Sequence, residues 1–223
     1  MKAIILCAGK GTRLRPLTYE NPKPLLKIKD MTILELILRE LPEEITEVIL
    51  VVNYMKEKIQ DFVNNFSFDK KIICIQQNME MTGTFGALHS AKEFIEEGER
   101  FLVLNSDDLI GKNDIMELLK YKRSFGVKKS IMPNYYKIIF ENNLLQSFAA
   151  QSDMEKKEGT FIATGSYVLD ENIFDFNTRS LKGGEIGIPQ TIIDNISAYP
   201  INVVICNSWE PINTVEDLEK HNQ

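Results

Sequence analysis

With 223 residues, 43% of them hydrophobic and 26% charged, the chain has enough apolar side chains to bury an ordinary core, which excludes a disordered polypeptide. The formal net charge of −6, with no basic stripe, excludes a protein that wraps nucleic acid; a few well-placed cations still suffice for one anionic cleft. Two histidines (His89 and His221) and three cysteines (Cys7, Cys74 and Cys206, each within an apolar run) exclude a histidine metal cluster, a Ser-His-Asp triad and a zinc spacing.

The first apolar run, residues 3–7, reads as a buried strand and leads into Ala8-Gly9-Lys10-Gly11-Thr12-Arg13. A small-residue loop after a strand lets backbone N–H groups approach a phosphate, and Arg13 adds a fixed cation for a triphosphate. Two commoner phosphate motifs are excluded. A dinucleotide fingerprint needs a glycine where Leu14 stands, and a Walker loop needs one where Ile4 stands. Next comes Asn21-Pro22-Lys23-Pro24-Leu25, in which two prolines frame Lys23 and aim one ammonium in a defined direction.

Farther along, Ile33, Leu34, Ile37, Leu38 and Leu41 fall on one helical face. A strand at 47–52, a helix around Ile59, Phe62 and Val63, and a strand at 72–76 follow. A third helix is predicted to carry Ala87, Leu88, Ala91, Phe94 and Ile95, and a strand covers 101–105. Strand and helix in alternation predict right-handed crossovers and a Rossmann-like, mostly parallel sheet flanked by helices. Beyond Lys129, strand-like pieces at 130–133, 137–140 and 161–169 predict a mixed extension of that sheet over the cleft. A helix is predicted at 188–195, and a closing helix at 214–221 with Asn213 or Thr214 near its cap. Residues 1–223 are expected to form a single domain.

The pairing of the Gly-x-Gly-Thr-Arg loop with Pro-Lys-Pro-Leu resembles the sugar-1-phosphate nucleotidyltransferases, the pyrophosphorylases that make activated sugars. The resemblance runs through nearly the whole chain and implies the nucleotide-diphospho-sugar transferase fold. It also implies that Leu6, Ala8, Gly9, Gly11, Thr12 and Arg13 hold the triphosphate, with Cys7 in place of a small residue, and that Lys23 contacts the reacting phosphates. Gln76, Gln77 or Asn78 would read the base edge, with Gly83 and Thr84 giving close backbone approach. The family's strand ending in Gly-Asp appears as Asn105-Ser106-Asp107-Asp108, which makes Asp107 the implied Mg²⁺ ligand; adjacent aspartates also mark helix starts. Gly165 and Glu185 match sugar-binding positions. The family's Trp-x-Asp-x-Gly-Thr reads Trp209-Glu210-Pro211-Ile212-Asn213-Thr214, with proline at the aspartate position. In the variant pattern of some relatives Asn213 is the second metal ligand, and it is equally a helix cap by residue type.

The resemblance therefore implies a Mg²⁺-dependent enzyme that transfers a nucleotidyl group, from UTP or dTTP by preference, to a sugar 1-phosphate. Arg13, Lys23 and Asp107 would carry the catalysis. The alternatives are a CTP-dependent cytidylyltransferase acting on phosphocholine or a polyol phosphate, and a silent homologue that only binds a nucleotide sugar. No partner beyond the two substrates is expected, neither nucleic acid nor membrane, and the chain is expected to be a monomer or homodimer. The first apolar run is too short for the core of a signal peptide and no stretch approaches a membrane span, so the cytoplasm is the expected compartment.

Overall fold

Alternate residues of the first strand serve two different cores, and this places a sheet between two helical layers. The computed structural model describes residues 1–133, 135–181 and 183–223. Its main strands are β1 (Lys2–Cys7), β2 (Glu47–Val52), β3 (Lys71–Gln76), β4 (Arg100–Asn105), β5 (Ser124–Ser130), β6 (Lys137–Glu141), β7 (Leu144–Ala149), β8 (Thr160–Asp170) and β9 (Asn202–Ile205). The main helices are α1 (Ile33–Arg39), α2 (Lys56–Asn65), α3 (Gly83–His89), α4 (Lys112–Leu119), α5 (Ile188–Asp194) and α6 (Val215–Asn222).

Among the described residues the strands form one nine-stranded sheet in the order β3-β2-β1-β4-β8-β5-β9-β7-β6. The first four pair in parallel, as the alternating strand and helix pattern predicts. Antiparallel pairing begins at β8, which lies between β4 and β5, and it returns at β7. Ala3, Ile5 and Cys7 face one core with Ile33, Leu34 and Ile37 of α1 and Ile115 and Leu118 of α4. Ile4 and Leu6 face the other, with Phe85 and Leu88 of α3 and Ile188 and Ile192 of α5. Burial on both faces is why these strands read as continuous Ile, Val and Leu runs. No helix among the described residues is long and apolar enough to cross a membrane.

The structure departs from the sequence reading in three places. The predicted third helix ends at His89, and Lys92–Phe94 forms a separate 3₁₀ turn, which leaves Phe94 exposed. Of the piece predicted at 130–133 only Ser130 is in a strand, as the last residue of β5, which begins at Ser124. Gly126, Lys128 and Lys129 mask its apolar pattern: Lys128 spans to the carbonyl of Trp209 (2.6 Å), and Gly126 sits where a Cβ would fall 2.3 Å from Ser166 Oγ and 2.4 Å from Thr164 Oγ1. Finally, β7, β9 and α4 have no counterpart in the sequence reading; the two strands are short and half-buried and lack a clear period.

Chain order reverses between β1 and β4: the next strand goes to one side of β1, and β4 returns on the other. In an open α/β sheet this switch point opens a crevice at the carboxyl ends of the strands. The glycine loop leaves the end of β1 and the Ser106-Asp107-Asp108 segment leaves the end of β4, so both border that crevice.

Candidate active site

Gly11 lets the loop after β1 fold tightly enough to lock onto the Lys23 segment. It adopts φ +59°, and a Cβ there would fall 2.9 Å from Thr18 Cγ2 and 3.0 Å from Lys23 Cβ. Thr18 Oγ1 donates to the Gly11 carbonyl (2.9 Å), and Tyr54 in turn donates to the Thr18 carbonyl (2.7 Å). Gly9, by contrast, faces open space, with no heavy atom within 4 Å of a would-be Cβ. The loop is thus braced on one side and bare on the other, as a backbone cradle for a ligand requires.

Lys23 opens a short 3₁₀ turn between Pro22 and Pro24 and is 7% exposed. Its Nζ meets Asp107 Oδ2 at 2.5 Å, which compensates the buried ammonium. Asp107 is held by its backbone, whose carbonyl accepts from Ile212 N (2.8 Å). The two neighbouring aspartates have different surroundings. Asp108 starts a two-residue strand paired with Glu210–Pro211, and its Oδ2 accepts from Asn105 Nδ2 (2.9 Å). Burial, and then the negative charge of Asp107, push the Asp108 carboxyl well above its ordinary range. Neither aspartate caps α4, whose N-cap is Gly111.

Asn213 is likewise relieved of a side-chain capping duty. Thr214 caps α6, its Oγ1 accepting from Asp217 N while the Asp217 carboxylate accepts from Thr214 N. The Asn213 carboxamide turns to the crevice, where Oδ1 accepts from Arg13 Nη2 (2.8 Å) and Nδ2 donates to the Tyr135 hydroxyl (3.0 Å). The Asp107 carboxylate and the Asn213 amide oxygen are hard donors on opposite strips of chain. No group of three or more His, Cys, Asp or Glu residues suited to a metal occurs among the described residues. Two protein oxygens completed by substrate phosphates fit Mg²⁺, which keeps few protein ligands.

The remaining predicted residues fall into two adjoining clefts. A larger one, about 700 Å³, is lined by Leu6, Ala8, Gly9, Gly11 and Thr12, with Gln77 at its far side. Gln77 is buried and its Nε2 donates to the Met81 carbonyl (3.3 Å). Asn78 is not brought to this cleft; its side chain closes a local turn with Glu80. Gln76 is engaged by Lys56 Nζ (2.7 Å). A second cleft of about 370 Å³ contains Gly165 and is walled by Tyr135, Tyr136, Phe148, Tyr167 and Trp209. The two clefts share Arg13, Gly83, Thr84, Asn105, Asp107, Glu185 and Asn213.

Gly165 has φ +70°, and a Cβ there would fall 2.0 Å from Asn105 Nδ2 and 2.4 Å from Asp108 Oδ2. Its glycine is therefore demanded by the buried Asn105–Asp108 pair beneath the cleft floor. At the start of α3, Phe85 N donates to the Ile186 carbonyl (2.9 Å) and Ile188 N to Thr84 Oγ1 (3.0 Å), which seats the segment carrying Glu185 between the clefts. Asn105, Tyr135 and Trp209 are cleft residues that sequence reasoning did not single out for the site. Asn105 and Trp209 lay within quoted motifs; Tyr135 sits in an irregular loop with no pattern around it. The Trp209 indole N–H is buried and has no hydrogen-bond partner among the described residues.

The family model for nucleotidyl transferases matches residues 2–219. The chain is 33% identical over 229 residues to the bifunctional protein GlmU of Methanocaldococcus jannaschii, covering all of this chain and 54% of that protein. It is 35% identical over 189 residues to a probable mannose-1-phosphate guanylyltransferase 2 of Oryza sativa subsp. japonica, covering 78% of this chain and 51% of that one. The chain thus spans about half the length of the curated relatives it matches. The crystal structure of an apo UDP-glucose pyrophosphorylase superposes with a TM-score of 0.84 at 19% identity, covering 99% of this chain and 96% of that one, so the fold is shared. On the family match along nearly its whole length, this chain belongs to the nucleotidyl transferase family.

Proposed function

We propose that residues 1–223 act as one nucleotidyltransferase unit that joins a nucleoside triphosphate, UTP or dTTP by preference, to a sugar 1-phosphate and releases pyrophosphate. The observation that carries this reading is the junction of two clefts at Arg13, Asp107 and Asn213, with Lys23 reaching it from below. A triphosphate lies along the glycine loop in the larger cleft, its base near Gln77, and the acceptor lies in the smaller one near Gly165 and Glu185. The similarity to a probable mannose-1-phosphate guanylyltransferase of O. sativa supports the acceptor class.

A phosphate oxygen of the acceptor attacks the α-phosphorus in line; the new P–O bond forms as the bond to pyrophosphate breaks, and no enzyme nucleophile is needed. Arg13 and Lys23 neutralise the phosphates and hold the two reactants in register. Asp107 and Asn213 are the residues that would hold Mg²⁺, which when bound neutralises phosphate charge. The enzyme would act in the cytoplasm as a monomer or homodimer, where the free thiols of Cys7, Cys74 and Cys206 persist.

One observation favours a second acceptor class. The smaller cleft brings five aromatic rings beside Asp107, Asp108 and Glu185, an environment that also suits a quaternary ammonium such as that of phosphocholine. The test is pyrophosphate release with Mg²⁺, crossing UTP, dTTP, CTP, GTP and ATP against sugar 1-phosphates and phosphocholine. Release that requires one triphosphate and one sugar 1-phosphate together supports the proposal. Release with CTP and phosphocholine moves the assignment to the second class, and silence across the panel in folded protein leaves a binding-only homologue.

A further inference from the structure

Tyr135 touches both halves of the site although no motif marks it. Its ring lines the acceptor cleft, and its hydroxyl accepts from Asn213 Nδ2 at 3.0 Å. At the other end of the same carboxamide, Arg13 Nη2 donates to Oδ1 at 2.8 Å. A guanidinium only donates, so the oxygen must face Arg13; the hydroxyl can take the N–H left over. Thr214 alone provides the side-chain cap of α6, so these two partners hold the Asn213 carboxamide: Arg13, a donor only, sets its rotation, and the Tyr135 hydroxyl, donor or acceptor alike, tethers it in place. A triphosphate that draws Arg13 toward its own oxygens weakens one of them, and Tyr135 then remains.

We propose, resting on the transfer reaction above, that Tyr135 is a positioning residue whose hydroxyl tethers the Asn213 carboxamide at the junction of the two clefts. An inverted carboxamide would aim N–H groups at Arg13 and withdraw an acceptor from the junction of the clefts.

The test compares Tyr135→Phe in the native background and in an Asn213→Ala background, where no carboxamide remains to be held. In the native background kcat is expected to fall about tenfold, with the triphosphate KM within about twofold, the scale of one hydrogen bond. In the Asn213→Ala background the same substitution is expected to cost less than about twofold. Equal losses in both backgrounds, or none in the native one, overturn the proposal. A second readout needs no turnover: the side-chain amide NMR resonances of Asn213, in protein without substrate, shift on Tyr135→Phe. Unchanged resonances overturn the proposal, and this readout decides if Asn213→Ala is itself too slow to measure. A native protein silent on every substrate pair overturns the reaction, whereas an active one insensitive to Tyr135→Phe overturns only this inference.

Discussion

Lys23 Nζ lies 2.5 Å from Asp107 Oδ2, across a sequence separation of 84 residues. The pair ties the proline-framed turn after the glycine loop to the end of β4, the two strips of chain that border the crevice. It also keeps a 7%-exposed ammonium compensated while no phosphate is present.

Removing either partner separates chemistry from stability. Lys23→Ala and Asp107→Ala are each expected to lower turnover at least about a hundredfold, the scale of one electrostatic contact to a reacting group. Circular dichroism should show both variants folded. Near-native turnover in one of them would remove that residue from the mechanism.

Asn213 and Thr214 divide two duties, and substitutions should divide them too. Thr214→Ala loses the capping box and is expected to cost about 1 kcal/mol in urea unfolding, with modest change in turnover. Asn213→Ala is expected to leave stability within about 0.5 kcal/mol and to lower turnover roughly a hundredfold. The reverse pattern would return Asn213 to the role of a cap.

Gly165→Ala places a methyl group at φ +70° against Asn105 and Asp108. Left-handed backbone and overpacking together are expected to cost about 2–4 kcal/mol. Thermal unfolding reads this directly; an unchanged melting temperature would mean that Asn105 and Asp108 yield without strain.

The Asp108 carboxyl is raised by burial first and by Asp107 second, so its native value lies above its unfolded one. The native state then binds the extra proton, and the contribution is fully present below the unfolded value and lost as pH rises through the native one. Asp108→Asn removes that dependence. The unliganded variant should gain melting temperature relative to the native protein at pH 7–8, and the gain should shrink as pH falls toward about 4. A difference that does not vary with pH would show that Asp108 titrates normally.

Much of the fold is legible in the sequence because its signals are local. Strands near 3–7, 47–52 and 101–105 appear as apolar runs because both of their faces are buried, and this follows from residue order alone. The same holds for the glycine loop and the framing of Lys23, where bare glycines and fixed proline torsions act over a few residues. β5 was misplaced because Lys128 and Lys129 interrupt its pattern while their neighbours bury a sheet interior. Tyr135 was illegible for a related reason, since nothing in an irregular loop says which side chain it will meet.

What the residue order determines by itself is the parallel half of the sheet, the glycine loop after β1 and the types of group available at the crevice. The tertiary structure alone decided that Asp107 faces the clefts while Asp108 pairs with the Glu210–Pro211 strand, that Asn213 meets Arg13 across 200 residues, and that Gly165 is required by Asn105 and Asp108. Hydrophobic period and backbone torsion are properties of neighbours in sequence. The partner of a polar side chain is set by which distant strands come together, and no local pattern encodes that.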